Sequence, residues 1–385
     1  MTKPYGRKRW CKMAETATKR NLGLDLLRMV AMFMVAVLHV LGAGGVLNSA
    51  TPLSPDYVTA WLLETAAFCA VNCYALLSGY VGLRGRFRYA NLALLWCQVA
   101  FYTIGIPLVF AAVKPGSVGA KELIRGFFPA MSNHYWYFTA YFAMFFFIPA
   151  FNFLVEKLER HQMKALAVSL VVLFSVLPTV FQSDVAEIFP GDLFIEYGGY
   201  SPLWLAVLYI LGAYARKYEL FKDVKWWKAL GIYALCVLVT WGEKWLVEGA
   251  RMHFLGAYIP GGILVSYTSP TMLLAALALL AAFAKMPVPK WAARPIGFFA
   301  PMAFSVYLIH VHPLMWQHVM WGRFAAFGSY GTVKLALFVL GTAMGIYLGC
   351  SVIDCVRAWL FRRLRLRERL VRLEGKWLGG LWVDE

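Results

Sequence analysis

Apolar stretches of about twenty residues recur along the whole 385-residue chain, and several carry no charged side chain. A hydrocarbon core about 30 Å thick is crossed by about 20 residues of α-helix, so each such run is long enough to span a bilayer. Lipid offers no hydrogen bonds to backbone N–H and C=O groups, so only helices and closed barrels can cross it. Barrel strands would alternate apolar and polar positions, whereas these runs are apolar on every face. The sequence therefore predicts an all-α fold, a polytopic integral membrane helical bundle. Hydrophobic residues at 61% and charged residues at 15% exclude a water-soluble enzyme, and the number of runs excludes a single-pass receptor.

Bounded by charges, Gly/Pro clusters or amphipathic turns, the runs predict about ten transmembrane helices. They lie near 22–41, 57–82, 89–113, 134–155, 163–182, 201–217, 227–247, 264–284, 299–320 and 333–356. Of the 37 basic residues, 29 fall on the side of the N-terminus, seven on the opposite side, and Arg28 lies within the first run. Because Lys and Arg resist translocation, both termini are expected in the cytoplasm. The expected layout is a basic cytoplasmic segment over 1–20, a transmembrane domain over 21–356 and a basic amphipathic tail over 357–385. The first segment, with Lys3, Arg7, Lys8, Arg9, Lys12, Lys19 and Arg20, is charged like the start of a signal peptide. The run behind it contains Arg28 and lacks a small-residue cleavage site after His39, so it reads as a retained first span. In the tail, Leu366, Leu370, Leu373 and Trp377 recur at helical spacing among basic residues, as in a helix lying on the anionic inner leaflet. The net charge of +17 thus speaks for topology and lipid, not for nucleic acid.

Two outer segments carry polar and acidic residues, Asp184, Glu187, Asp192 and Glu196 in one and Glu243, Glu248, Arg251 and His253 in the other. They read as solvated loops or as the mouth of a substrate site. The seven cysteines lie mostly within apolar runs and no histidines stand at metal-ligand spacing, so no metal is expected.

Ionisable groups inside a span are costly and face a partner or a cavity. The first span carries Asp25, Arg28 and His39. Eleven residues make about three helical turns, so Arg28 and His39 share a face about 16 Å apart along the axis. Asp25, three residues before Arg28, can pair with it. The plainer reading is an Asp25–Arg28 pair snorkelling at the inner interface with His39 at the outer one. Glu64, early in the second span, sits at a depth His39 can share, and there it can orient the imidazole or snorkel to the interface. Arg84, Arg86 and Arg88 alternate along a short inner loop, able to hold phosphates or simply to fix topology.

The Asp-x-x-Arg-x10-His arrangement from Asp25 to His39 resembles the first-helix motif of the membrane-bound acyltransferase 3 family, which O-acylates cell-surface sugars. Ser78-Gly79-Tyr80 is similar to the family's second-helix end, and Trp136-Tyr137-Phe138 with Pro149 to its aromatic fourth helix. Phe304 to His310 resembles its late Ser-x-Tyr-Leu-x-His segment. The resemblance spans about residues 21 to 355. It implies transfer of an acyl group, with acetyl-CoA or another acyl-CoA as co-substrate, to a hydroxyl of a surface polysaccharide or lipid-linked glycan. It also implies a multi-pass protein of a bacterial inner membrane. Carried over by position, His39 is the essential base and Arg28 its partner on the donor side; Glu64 joins the expected catalytic residues through its depth in the second span alone. Arg28, Arg84, Arg86 and Arg88 are the expected donor-binding residues, and Asp25, Ser78, Trp136, Tyr307 and His310 the expected acceptor-binding ones. His310 and His312 fall on different sides of a helix, and the family pattern favours His310. The chain departs from the family by lacking its Arg-x-x-Arg pair at the start of the third helix, where it reads Leu94 to Gln98. Weaker cavity positions are Asn72, Gln98 and His134. A sugar or lipid transporter is the main alternative, since it would use the same buried charges, and a binding-only scaffold is the third.

Overall fold

The structure is a computed structural model that describes residues 21–116, 118–181, 194 and 197–378. The basic segment 1–20, the acidic group Asp184, Glu187, Asp192 and Glu196, and residues 379–385 lie outside the described residues. The described chain is helical throughout, without a strand. Its main helices are α1 (Leu22–Leu41), α2 (Pro55–Phe68), α3 (Ala70–Gly82), α4 (Tyr89–Val113), α5 (Trp136–Phe145), α6 (Ile148–Lys157) and α7 (Arg160–Phe181). They continue as α8 (Pro202–Lys217), α9 (Trp226–Leu255), α10 (Pro270–Lys285), α11 (Ala303–His310), α12 (Thr332–Arg363) and α13 (Leu366–Trp377).

Helix starts follow from local chemistry. At three of them a Ser-Pro pair supplies both cap and first residue: Ser54, Ser201 and Ser269 accept hydrogen bonds from the backbone N–H of Tyr57, Trp204 and Met272. Proline at the first helical position loses nothing, because its missing N–H would have had no intrahelical partner there. Asn21 caps α1 through bonds from Gly23 and Leu24 N–H at 2.9 and 3.3 Å.

By length and composition, seven of the described helices can cross a membrane, or eight if the pair α5–α6, bent by 58°, forms one broken span. The expected ten runs are all helical, but the exact count of ten is not reached. The reason is length: α8 and α10 have 16 residues each, about 24 Å of helix. Most of their side chains are buried within the bundle. The last span also overruns its expected end at 356, because α12 continues to Arg363. Arg357 is retained in that helix by Asp354, which accepts from its Nε at 2.6 Å and from its Nη2 at 2.8 Å.

Helix α1 is the axis of the bundle and packs against α2, α3, α10, α11 and α12. Helices α3 and α8 approach through two glycines: a side chain at Gly79 would strike the Tyr209 carbonyl, and one at Gly212 the Leu76 carbonyl. Without a hydrophobic drive between helices in lipid, such close backbone contact is what holds them. By contrast, α9 and α12 turn apolar faces outward, with Leu235, Leu246, Val352 and Val356 all more than 60% exposed. Exposed apolar area of that extent suits contact with lipid, not water.

Candidate active site

The last turn of α1 presents His39 to the end of α11, where His310 stands. His39 Nδ1 and His310 Nε2 are 2.8 Å apart. His310 Nδ1 lies 2.5 Å from the Val306 carbonyl one turn earlier in its own helix. A carbonyl can only accept, so with neutral rings Nδ1 of His310 carries the proton and its Nε2 is bare. His39 must then donate from Nδ1, and its own Nε2 holds a free lone pair. Two hydrogen bonds thus fix the tautomer and orientation of His39 as a base. Trp316 holds the ring edge-on, with centroids 5.0 Å apart.

This ring borders a cavity of about 370 Å³ that also takes in Glu64, Trp136, Tyr267 and Tyr307. Glu64 Oε2 and the Tyr307 hydroxyl are buried there without a hydrogen-bond partner among the described residues. Leaving such groups unpaired is costly, so each is a position where a ligand hydroxyl would be held. Glu64 therefore shares the cavity with His39, but His310 and not Glu64 orients the imidazole, because only His310 lies along the Nδ1 direction.

A second cavity, of about 270 Å³, opens at the basic end of the bundle and is lined by Arg28, Ser78, Arg86, Arg88 and Tyr141 among others. Arg28 Nη1 lies 2.6 Å from Asp25 Oδ1. Asp25 is almost fully buried and pairs with Arg28. Arg86 and Arg88 line this cavity, whereas Arg84, exposed like Arg86, is not among its lining residues. Ser78 lines this cavity and not the acceptor side, and its hydroxyl donates to the Tyr74 carbonyl at 2.9 Å. Between the two cavities stands Tyr74, which lines the first and donates to the Arg28 carbonyl at 2.7 Å.

Other sequence positions take structural roles. Asn72 donates to the Tyr267 carbonyl at 2.7 Å and accepts from Trp204 Nε1 at 3.0 Å. His312 caps a short turn by accepting from Leu314 N–H. His134 pairs with Ser132, and burial together with the nearby Arg125 lowers its basicity. Glu243 and Glu248 are not loop residues, since α9 runs on to Leu255. Lys244 and Glu248 form a buried pair at 2.5 Å, and Glu248 also accepts from the Tyr57 hydroxyl at 2.9 Å and from Gly261 N–H at 3.0 Å. Glu243 accepts from Ile263 N–H at 2.8 Å. Together they fasten the segment after α9, which delivers Tyr267 to the cavity. Tyr74, Tyr267 and Trp316 were not distinguishable in sequence, because aromatics make up 16% of the chain and none of the three stands in a polar motif.

The central helix α1 thus contributes His39 to one cavity and Arg28 to the other. A family profile described as an acyltransferase domain matches residues 21–354, nearly the whole chain. The chain belongs to the acyltransferase 3 family. It is a membrane acyltransferase, and this removes the ground for the transporter alternative. No curated protein and no solved structure matches it. The matched range starts at the α1 cap, Asn21, and ends at Asp354, so both cavities and the helices that build them fall within it.

Proposed function

We propose that this acyltransferase moves an acyl group, acetyl in the simplest case, from an acyl-CoA to a hydroxyl of a surface polysaccharide or lipid-linked glycan precursor at the plasma membrane. The observation that carries the proposal is the His310–His39 relay, which leaves an unprotonated Nε2 facing a cavity rich in aromatic side chains. A sugar hydroxyl is a weak nucleophile, and an imidazole lone pair is the base suited to it near neutral pH. The unpaired Glu64 carboxylate and Tyr307 hydroxyl give a polyhydroxyl acceptor its polar partners, and rings such as Trp136 and Tyr267 give its apolar face a bed.

In the transfer step His39 Nε2 takes the hydroxyl proton as the hydroxyl oxygen attacks the thioester carbonyl. The new C–O bond forms, the C–S bond breaks, and the thiolate leaves with the proton returned from His39. The ester and free thiol balance the step without a covalent enzyme intermediate. When His39 is protonated its Nδ1–H bond to His310 becomes charge-assisted and strengthens. The positive inner cavity, with Arg28, Arg86 and Arg88, is suited to phosphate or carbonyl oxygens of the donor. Read by the positive-inside rule, that cavity faces the cytoplasm, where acyl-CoA is made, and this supports the donor side of the proposal.

Membranes carrying the wild-type chain, given labelled acetyl-CoA and a glycan fraction, are expected to label the glycan in base-labile ester form. Absence of label, or equal label in membranes that lack this chain, would overturn the donor assignment.

A further inference from the structure

A third cavity, of about 590 Å³, lies at the basic end between α4, α12, α13 and the turn before α11, and shares no lining residue with the two cavities of the transfer site. Four arginines line it: Arg357, Arg362, Arg365 and Arg367. Arg357 is buried and held in place, and the other three stand at the rim. Asp354 takes Nε and Nη2 of Arg357 and is itself bonded by the Tyr102 hydroxyl at 2.5 Å, which leaves Nη1 of this guanidinium unclaimed by its partner. Arg362 uses its Nε on the Ala358 carbonyl at 3.1 Å. Arg365 is the hinge between α12 and α13 and holds φ at +48°, a left-handed conformation in which a residue with a side chain is strained. Glycine would relieve that strain, and strain of this kind clusters at sites that need the side chain. The floor is apolar and partly aromatic, with Phe298 and Phe361, and the Arg357 guanidinium stands over the Phe361 ring at 5.1 Å.

Asp354 behind Arg357 and Glu368 on the rim oppose the four guanidiniums, leaving two positive charges in excess. Guanidinium forks match phosphate oxygens in pairs, and an aromatic floor suits the organic group that carries the phosphate. At one corner Gln98 donates to the Ser305 hydroxyl at 2.7 Å, and Ser305 lies on the helix that ends in His310. The cavity therefore touches the helix that orients the base while standing apart from the reacting groups.

We infer that this cavity is a binding site for a phosphate ester, held by the guanidiniums of α12 and α13. Two sources share that chemistry: the headgroup of an anionic phospholipid and the phosphates of an adenine nucleotide. The full-length chain, purified in neutral detergent, would be offered phosphatidylglycerol, phosphatidylcholine or adenosine 3′,5′-bisphosphate, with retention read by native mass spectrometry and stability by thermal melting. Retention of phosphatidylglycerol over phosphatidylcholine assigns the lipid source, and retention of the bisphosphate the nucleotide source; each supports the site. Substituting Arg362→Gln, Arg365→Gln or Arg367→Gln, all exposed at the rim, is expected to weaken retention about fivefold per charge removed. Glu368→Gln is expected to strengthen it, an effect that a folding defect cannot imitate. Retention of neither probe, or retention unchanged in both sets of variants, would overturn the site. The readout is binding, so its failure is separable from failure of the transferase reading.

Discussion

At the residue scale the chemistry rests on which nitrogen of His39 carries the proton. His310 decides this by accepting from Nδ1 while its own Nδ1 is tied to Val306. Replacing His310 by Phe removes the acceptor and frees the His39 ring to flip, so transfer is expected to fall by about 10²-fold, in line with loss of a positioned base. Gln at 310 can still accept through its side-chain oxygen and is expected to retain more activity than Phe; equal loss in both would show that His310 acts by packing alone. Arg28→Lys keeps the charge but loses the fork, and is expected to raise the KM for the donor with expression unchanged; an unchanged KM would return Arg28 to a structural role. The spacing of Arg28 and His39 was legible because charge inside an apolar run is conspicuous. Helical geometry allowed only one of His310 and His312 on the α1 side, and the family resemblance, not the spacing, pointed to His310. The Asp25–Arg28 pair was legible as well, from its three-residue spacing, whereas which of the loop arginines line the inner cavity depends on side-chain directions that no sequence pattern encodes.

At the scale of elements, two devices hold the site open and aligned. Gly79 and Gly212 let α3 and α8 meet backbone to backbone. Gly79→Leu forces the helices apart and is expected to lower the yield of folded protein and its melting temperature, as measured by size-exclusion in detergent; wild-type behaviour would contradict the close approach. The Ser-Gly-Tyr motif was visible in the sequence, but its glycine is explained by the Tyr209 backbone, a contact 130 residues distant that periodicity cannot reveal. The second device is the Lys244–Glu248 pair. Its side chains are 6% and 0% exposed, and losing one partner leaves a buried charge uncompensated, which costs about 3–5 kcal/mol. Glu248→Ala is therefore expected to destabilise the protein by that order and, by loosening the segment that carries Tyr267, to weaken acceptor binding. An unchanged melting curve would count against the clamp. The sequence placed these residues in an outer loop, because the hydropathy that ends an apolar run there does not end the helix: α9 continues beyond the apolar window to Leu255.

At the scale of the whole molecule, charge asymmetry and fold tell one story. The basic loop between α3 and α4 and the α12–α13 hinge frame the end that holds Arg28, while His39 points toward the other end. In a background without native cysteines, Arg86→Cys is expected to label only after the membrane is opened from the cytoplasmic side, and Phe254→Cys, 80% exposed near the end of α9, from outside. The reverse pattern would invert the proposed route from donor to acceptor. The helical membrane class was fully legible, since nothing but a bundle satisfies so many charge-free apolar runs. The count of spans is not decided by length and composition, because α8 and α10, helices of 16 residues each, fall short of the length that identifies the other spans.

The central claim is that His39 is the base, and the most direct measurement is the initial rate of labelled acetyl transfer by His39→Ala with and without added imidazole, at matched protein levels. The account predicts a loss of about 10²- to 10⁴-fold, partly restored by imidazole entering the space the ring leaves beside Trp316. A rate equal to wild type, with no response to imidazole, would contradict it.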